Sequence, residues 1–325
     1  MRRIKLTVAY DGCNYSGWQI QPNASTIEQV LDNAINKVTG EKVHVIGASR
    51  TDAGVHGLGN VAVFDTASGI PGDRWAYAIN THLPEDVSVV ESREVSPEFH
   101  PRHCNTVKTY EYRILNTRFP IPQFRNYSWH VKEPLDVNAM QSAAQRLVGE
   151  HDFKSFCCVK TQAESTVRTI YSVDVRTEDE AYIVIRVSGN GFLYNMIRII
   201  AGTLVKAGKG KITPQDIDLM LEAKNRCESG QTAPPQGLTL MNIDYVDGDD
   251  REVENQHFFR CCASTCFFME RPLSAVVSCR CLPQFRPVFA FRKRLFYTRF
   301  RLCSGKLTRG ERNLKRWSGQ QTKKI

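Results

Sequence analysis

Ile4, Leu6, Val8 and Tyr10 recur at every second position and give way to Asp11-Gly12, a period that predicts a half-buried strand running into a turn. The period then lengthens. Ile27, Val30, Leu31, Ala34, Ile35 and Val38 share one helical face, with Ser25 and Glu28 at capping-box spacing before them and Gly40 closing the pattern. Short apolar runs at 43–46 and 61–64 predict two more strands, the first breaking at Gly47. Between them residues 49–59 are polar and glycine-bearing, so Arg50-Thr51-Asp52-Ala53-Gly54-Val55-His56 is expected on a loop between strands.

Further strands are expected at 87–90 and 110–115, with a short helix over 74–80. Val137, Met140, Ala143, Ala144, Leu147 and Val148 form a helical face capped by Asp136 and closed by Gly149, and 170–175 with 181–187 read as paired strands. The segment 192–205 is apolar nearly all round, which predicts a helix enclosed by protein, and its one charge before Lys206 is Arg198. Thr213-Pro214 supplies an N-cap and a first-turn proline for a last helix, followed by a proline loop and a strand at 238–245. Strands and helices mix without a regular strand-helix-strand rhythm, so the expected class is α+β, with a mixed, mainly antiparallel sheet and flanking helices.

At 325 residues and 42% hydrophobic content the chain is long enough for two domains with sizeable cores, which excludes wholesale disorder, collagen and small disulfide scaffolds. Neither a secretory apolar run nor a membrane-length one is present, so the expected location is the cytoplasm, with no membrane association. The net charge of +9 is unevenly placed: residues 1–246 carry 26 basic and 27 acidic side chains, and the last 79 residues carry 17 and 7. A nucleic-acid partner must therefore be argued from local patches of the body, not from the overall charge. Cysteine follows the same skew, with five in the body and six in the tail.

Generic motifs are sparse. Ala207-Gly208-Lys209-Gly210-Lys211 lacks P-loop spacing and reads as a helix terminator, and Gly189-Asn190-Gly191 reads as a tight turn, not a dinucleotide fingerprint. Arg198 is more informative, because a guanidinium in an apolar helix stays charged and needs an anionic or hydrogen-bonding partner. Asp52, on its glycine-bearing loop, is a candidate partner, although Thr-Asp-Ala-Gly alone is also an ordinary capped turn. Strand alternation places Tyr110 and Tyr112 on one face, where a tyrosine either packs in a core or stacks on a base. His56 near Asp52 suggests a hydrolase pair but has no evident serine or cysteine nucleophile with it.

At Arg50-Thr51-Asp52-Ala53-Gly54-Val55-His56 the chain closely resembles the tRNA pseudouridine synthase A family. Tyr10-Asp11-Gly12, Tyr15-x-Gly17-Trp18-Gln19, Phe99-His100-x-Arg102, Lys108-x-Tyr110-x-Tyr112, His151-Asp152-Phe153, Gly191-Phe192-Leu193 with Met196-x-Arg198, and Ala233-Pro234-x-x-Gly237-Leu238 follow in the family's order, from about residue 3 to 246. The resemblance implies a pseudouridine synthase-like fold of two similar lobes around a cleft. It also implies an isomerase that breaks the N-glycosidic bond of a tRNA uridine, turns the uracil and rejoins it through C5. No cofactor and no metal is required by that chemistry. Asp52 is then the catalytic carboxylate, as nucleophile or as base at the sugar, Arg198 its ion-pair partner, and Tyr110 a stacking and proton-moving group. Arg50 is expected to stabilise the flipped nucleotide, and Arg102, Lys108, Lys160 and Arg168 to meet phosphates. The family pattern further implies a homodimer acting on anticodon-arm uridines at tRNA positions 38, 39 and 40. The alternative is a non-catalytic RNA-binding or RNA-chaperone protein.

The expected organisation is an N-terminal lobe, 1–105, carrying the aspartate loop, a C-terminal lobe, 106–246, carrying the tyrosine and arginine, and an atypical basic, cysteine-rich tail, 247–325. The tail's cysteines lack regular zinc spacing. A disordered or non-native extension is expected there, with a basic RNA-binding arm as the functional alternative.

Overall fold

The computed structural model describes residues 1–158 and 163–246; Lys160 and the tail, with every expectation attached to them, lie outside the described residues. In chain order the elements are β1 (Arg2–Tyr10), α1 (Ile27–Thr39), β2 (Ile46–Gly47), β3 (His56–Thr66), α2 (Trp75–Asn80), β4 (Val87–Val95), β5 (Thr106–Leu115) and β6 (Trp129–His130). They continue with α3 (Val137–Gln145), β7 (Gly149–Asp152), β8 (Val167–Glu178), β9 (Tyr182–Gly189), α4 (Met196–Gly208), α5 (Pro214–Ala223) and β10 (Leu238–Tyr245). All the strands join one sheet in the order β4-β1-β3-β10-β5-β9-β8-β7, with β2 added to β3 and β6 to β5. Neighbours are antiparallel except β3/β10 and β5/β6. The fold is α+β, as the irregular rhythm of elements implies.

Two apolar clusters flank the middle of this sheet. One joins Ile4, Leu6 and Val8 of β1 to Leu31 and Ile35 of α1 and to Trp75 and Ile79 of α2. The larger joins α3, α4 and α5 to β5, β8, β9 and β10. Helix α4 buries eleven of its thirteen residues. Each of Ile197, Ile199, Ile200 and Leu204 supplies about 1.5–3 kcal/mol of burial, which is what holds a single arginine in so apolar a helix.

What positions the functional residues is the short parallel pairing of β10 with β3, at Thr239–His56 and Leu240–Gly57. On its other edge β10 pairs with β5, where Leu240 lies opposite Tyr110. The start of β3, and the loop before it, therefore stands two strand spacings, about 10 Å, from Tyr110.

Three local expectations shift, each for a physical reason. The cap of α1 is Thr26, whose hydroxyl accepts from the Gln29 amide, because Glu28 turns back to accept from the Ile20 amide instead of closing a box with Ser25. Residues 43–45 are not ladder-paired: Asn36 and Asp32 of α1 take the amide hydrogens of Val43 and Val45 at 2.8 Å each, so helix side chains replace a partner strand. Helix α4 begins at Met196, not at 192, since Asn195 adopts a left-handed conformation (φ 62°) and leaves Phe192 and Leu193 in an apolar loop.

Gly202 of α4 lies against the strap 230–234, where an added Cβ would sit 1.9 Å from the Gln231 carbonyl oxygen. Gly202→Ala is therefore expected to destabilise the protein by about 2–4 kcal/mol despite alanine's better helix propensity, a loss measurable by urea unfolding.

Candidate active site

The loop 48–55 is fastened from below and from both sides. Thr51 is held at its carbonyl by the Trp18 amide (3.0 Å) and at its hydroxyl by the Tyr10 hydroxyl (2.9 Å). Gly17, at φ 96°, passes so close that a Cβ there would meet the Thr51 carbonyl oxygen at 2.6 Å. Asn60, fully buried on β3, donates to the Ser49 carbonyl at 3.0 Å. Tyr10, Gly17 and Trp18, from the two N-terminal motifs, thus build the seat of the Arg50–His56 motif.

On that seat Asp52 meets Arg198: Nη1 lies 3.4 Å from Oδ2, with side chains 19% and 16% exposed. Arg198 is itself aimed by two further acceptors, the Ala233 carbonyl (Nε, 2.7 Å) and the Asn195 side-chain oxygen (Nη1, 2.7 Å). The Ala233 amide in turn donates to the Arg198 carbonyl at 3.1 Å. Burial raises the Asp52 pKa above the ordinary aspartate value, and Arg198 opposes that shift by attraction and hydrogen bonding.

Asp52 lines a cleft of about 1120 Å³ that also receives Tyr110, Phe192 and Leu193. The Tyr110 hydroxyl shares a 2.9 Å hydrogen bond with Ser49, and its ring meets Phe192 edge-on at 5.4 Å. Burial pushes its pKa up to about 12, so it is a neutral phenol under working conditions. Tyr112, on the same face, is fully buried, with its hydroxyl donating to the Pro234 carbonyl at 2.8 Å, a structural position beneath the strap.

Four basic residues expected from the sequence line the same cleft: Arg50 and Arg102, both exposed, and Lys108 and Arg168, half-buried. Among the described residues none of the four is ion-paired with a carboxylate. Arg168 donates to the carbonyls of Ser165 (2.9 Å) and Val167 (2.6 Å). Arg102 donates through Nε to the Gly47 carbonyl (2.7 Å), and Lys108 through Nζ to the Ala48 carbonyl (3.1 Å).

His56 is engaged elsewhere. The Gly12 amide donates to its Nδ1 at 3.1 Å, and Nε2 faces the carbonyls of Asn126 (2.9 Å) and Gln236 (3.2 Å), so no ring nitrogen serves Asp52 as a hydrolase base. Asp11, Cys13 and His56 bring possible ligand atoms within 4.8 Å of one another. The Gly12 hydrogen bond fills the imidazole lone pair, however, and burial beside Asp11 pushes the Cys13 thiol up to about 12, so the three form a hydrogen-bonded knot.

Ser49, Asn195 and Phe192 were not singled out individually by sequence reasoning. Asn195 carried a detectable signal, a polar residue at the head of an apolar helix, whereas the contacts of Ser49 and Phe192 arise only from the fold.

The site thus sets a carboxylate against a guanidinium beside a neutral tyrosine, in a cleft whose four cations meet no carboxylate among the described residues. A family model described as tRNA pseudouridine synthase matches residues 6–103 and 143–246. A tRNA pseudouridine synthase A from Ruminiclostridium cellulolyticum is 49% identical over 245 residues, 75% of this chain and 100% of that protein. Those of Thermoanaerobacter sp. (strain X514) and Acetivibrio thermocellus are 48% and 47% identical over the same length and shares. The chain belongs to the tRNA pseudouridine synthase family, and is an isomerase. Among the described residues no helix is long and apolar enough to cross a membrane.

Proposed function

We propose that this chain converts uridine to pseudouridine in the anticodon arm of tRNA, at positions 38, 39 and 40, with Asp52 as the reacting carboxylate. The observation that carries the reading is that Asp52, paired with Arg198, lines the same cleft as Tyr110. In the overall change the N1–C1′ bond breaks, the uracil turns, and a C5–C1′ bond forms. The proton leaves C5 and N1 regains one, so atoms and electrons balance without a co-reactant.

Asp52 must be ionised to act either as nucleophile or as base at the sugar, and Arg198 supplies the charge that keeps it so inside the cleft. The Tyr110 ring offers the uracil a flat partner, and its hydroxyl, tied to Ser49, stands ready to pass a proton. A stacked or paired uridine has to be everted to reach this cleft, and the exposed Arg50 two residues before Asp52 is suited to holding the vacated stack or the flanking phosphate. Arg168 at the same rim supports the backbone path. A homodimer presenting two such clefts, at work in the cytoplasm, completes the reading.

The test is to incubate the protein with unmodified tRNA and map pseudouridine by carbodiimide tagging. Product at the anticodon-arm uridines is expected; intact RNA with no tagged position there would overturn the assignment.

A further inference from the structure

Two cations of the cleft point at the main chain that carries the reacting carboxylate. Arg102 grips the Gly47 carbonyl and Lys108 the Ala48 carbonyl, consecutive acceptors placed directly before Ser49-Arg50-Thr51-Asp52. They reach that point from different places, Arg102 from the turn after Phe99 and Lys108 from β5, two residues before Tyr110. Lys108 therefore ties the strand bearing the tyrosine to the loop bearing the aspartate. The Tyr110–Ser49 hydrogen bond makes a second tie between the same two segments, two residues further along β5 and one further along the loop.

Seating an ammonium in this cleft is costly. Burial, with Arg102 and Arg168 nearby, brings the Lys108 pKa down to about 8, and no carboxylate among the described residues offsets the loss of water. A cation meant only to meet a phosphate would lie further out, as the exposed Arg50 and the outer part of Arg102 do, where solvent bears the charge until RNA arrives. What the half-buried position provides instead is a fixed length from β5 to Ala48, and hence a fixed place for Asp52 relative to Tyr110 and Arg198.

We propose that Lys108, with Arg102 beside it, is a positioning residue for the isomerisation: it pins the Asp52 loop through the Ala48 carbonyl instead of binding a tRNA phosphate. The proposal rests on the reading of Asp52 as the reacting carboxylate.

Lys108→Met keeps the aliphatic stem and removes the ammonium. The single-turnover rate at saturating tRNA is expected to fall about 10- to 100-fold. The Kd for tRNA is expected to stay within about twofold, with its salt dependence unchanged. Lys108→Arg, which retains a donor of similar reach, is expected to recover most of the rate. Lys108→Gln is read in parallel, so that a folding defect confined to the methionine variant, detected by its melting curve, does not decide the matter.

A phosphate contact would give the opposite split: a weaker Kd, a salt slope reduced by about 1, and a near-normal rate at saturation, which would overturn the proposal. Unchanged rate and Kd in both neutral variants would overturn it too. Failure of the parent protein to form pseudouridine would instead count against the functional reading, so the two failures are separable.

Discussion

Asp52→Asn is expected to form no pseudouridine above about one ten-thousandth of the parent rate while binding tRNA with an unchanged Kd. The amide has the carboxylate's shape and can still accept from Arg198, so the cleft keeps its form and only the chemistry is lost. Stability should move in the other direction. Burial holds the folded-state pKa of Asp52 above its unfolded value even with Arg198 present, so the folded protein binds more protons than the unfolded chain between those two values. Stability from this group accordingly falls as pH rises through that window, and at neutral pH the ionised carboxylate is a net cost to the fold. The neutral asparagine should therefore melt no lower than the parent. Mapping of the product and a thermal melt on one preparation check both parts. Retained product would remove Asp52 from the chemistry, and a sharply lowered melting temperature would show that its role is structural.

Replacing the guanidinium should be nearly as damaging, and in a way that pH exposes. Arg198→Met removes the cation that lowers the Asp52 pKa and leaves burial, which raises it, unopposed. The rate at neutral pH is expected to fall about 100- to 1000-fold, and the acidic limb of the pH–rate profile to move to higher pH, so that raising the pH recovers part of the loss. Arg198→Lys keeps the charge but not the fork that reaches Asp52, Asn195 and Ala233 together. Its limb should lie between the other two. A limb that stays in place in Arg198→Met would show that the guanidinium does not govern ionisation of Asp52.

Much of this arrangement is legible along the chain because it rests on local periods. The alternation of β1, the Asp136 cap of α3, the paired β8 and β9 and the enclosed α4 all declare themselves in runs of ten or so residues. Arg198 stood out for the same reason: one charge in an apolar stretch needs a partner. The identity of that partner is not a local property. It depends on the parallel contact of β10 with β3, between positions some 180 residues apart, and no pattern in either segment announces it. Residues 192–195 misled for a related reason, since an apolar loop forming the wall of a cleft has the same composition as the first turn of a buried helix. The extended run at 43–45 looked like a strand because backbone satisfied by Asp32 and Asn36 leaves the same alternating imprint as a ladder.

The placement of β10 also bears on how the protein is made. This strand and the strap before it are the last described segments to be synthesised, yet they carry the Ala233 carbonyl that aims Arg198 and the ladder that sets the Asp52 loop two strands from Tyr110. A nascent chain still short of Leu238 holds Asp52, Tyr110 and Arg198 but lacks the strand that sets their spacing. With Asp52 as the proposed reacting group, activity is therefore expected only once translation has passed that strand.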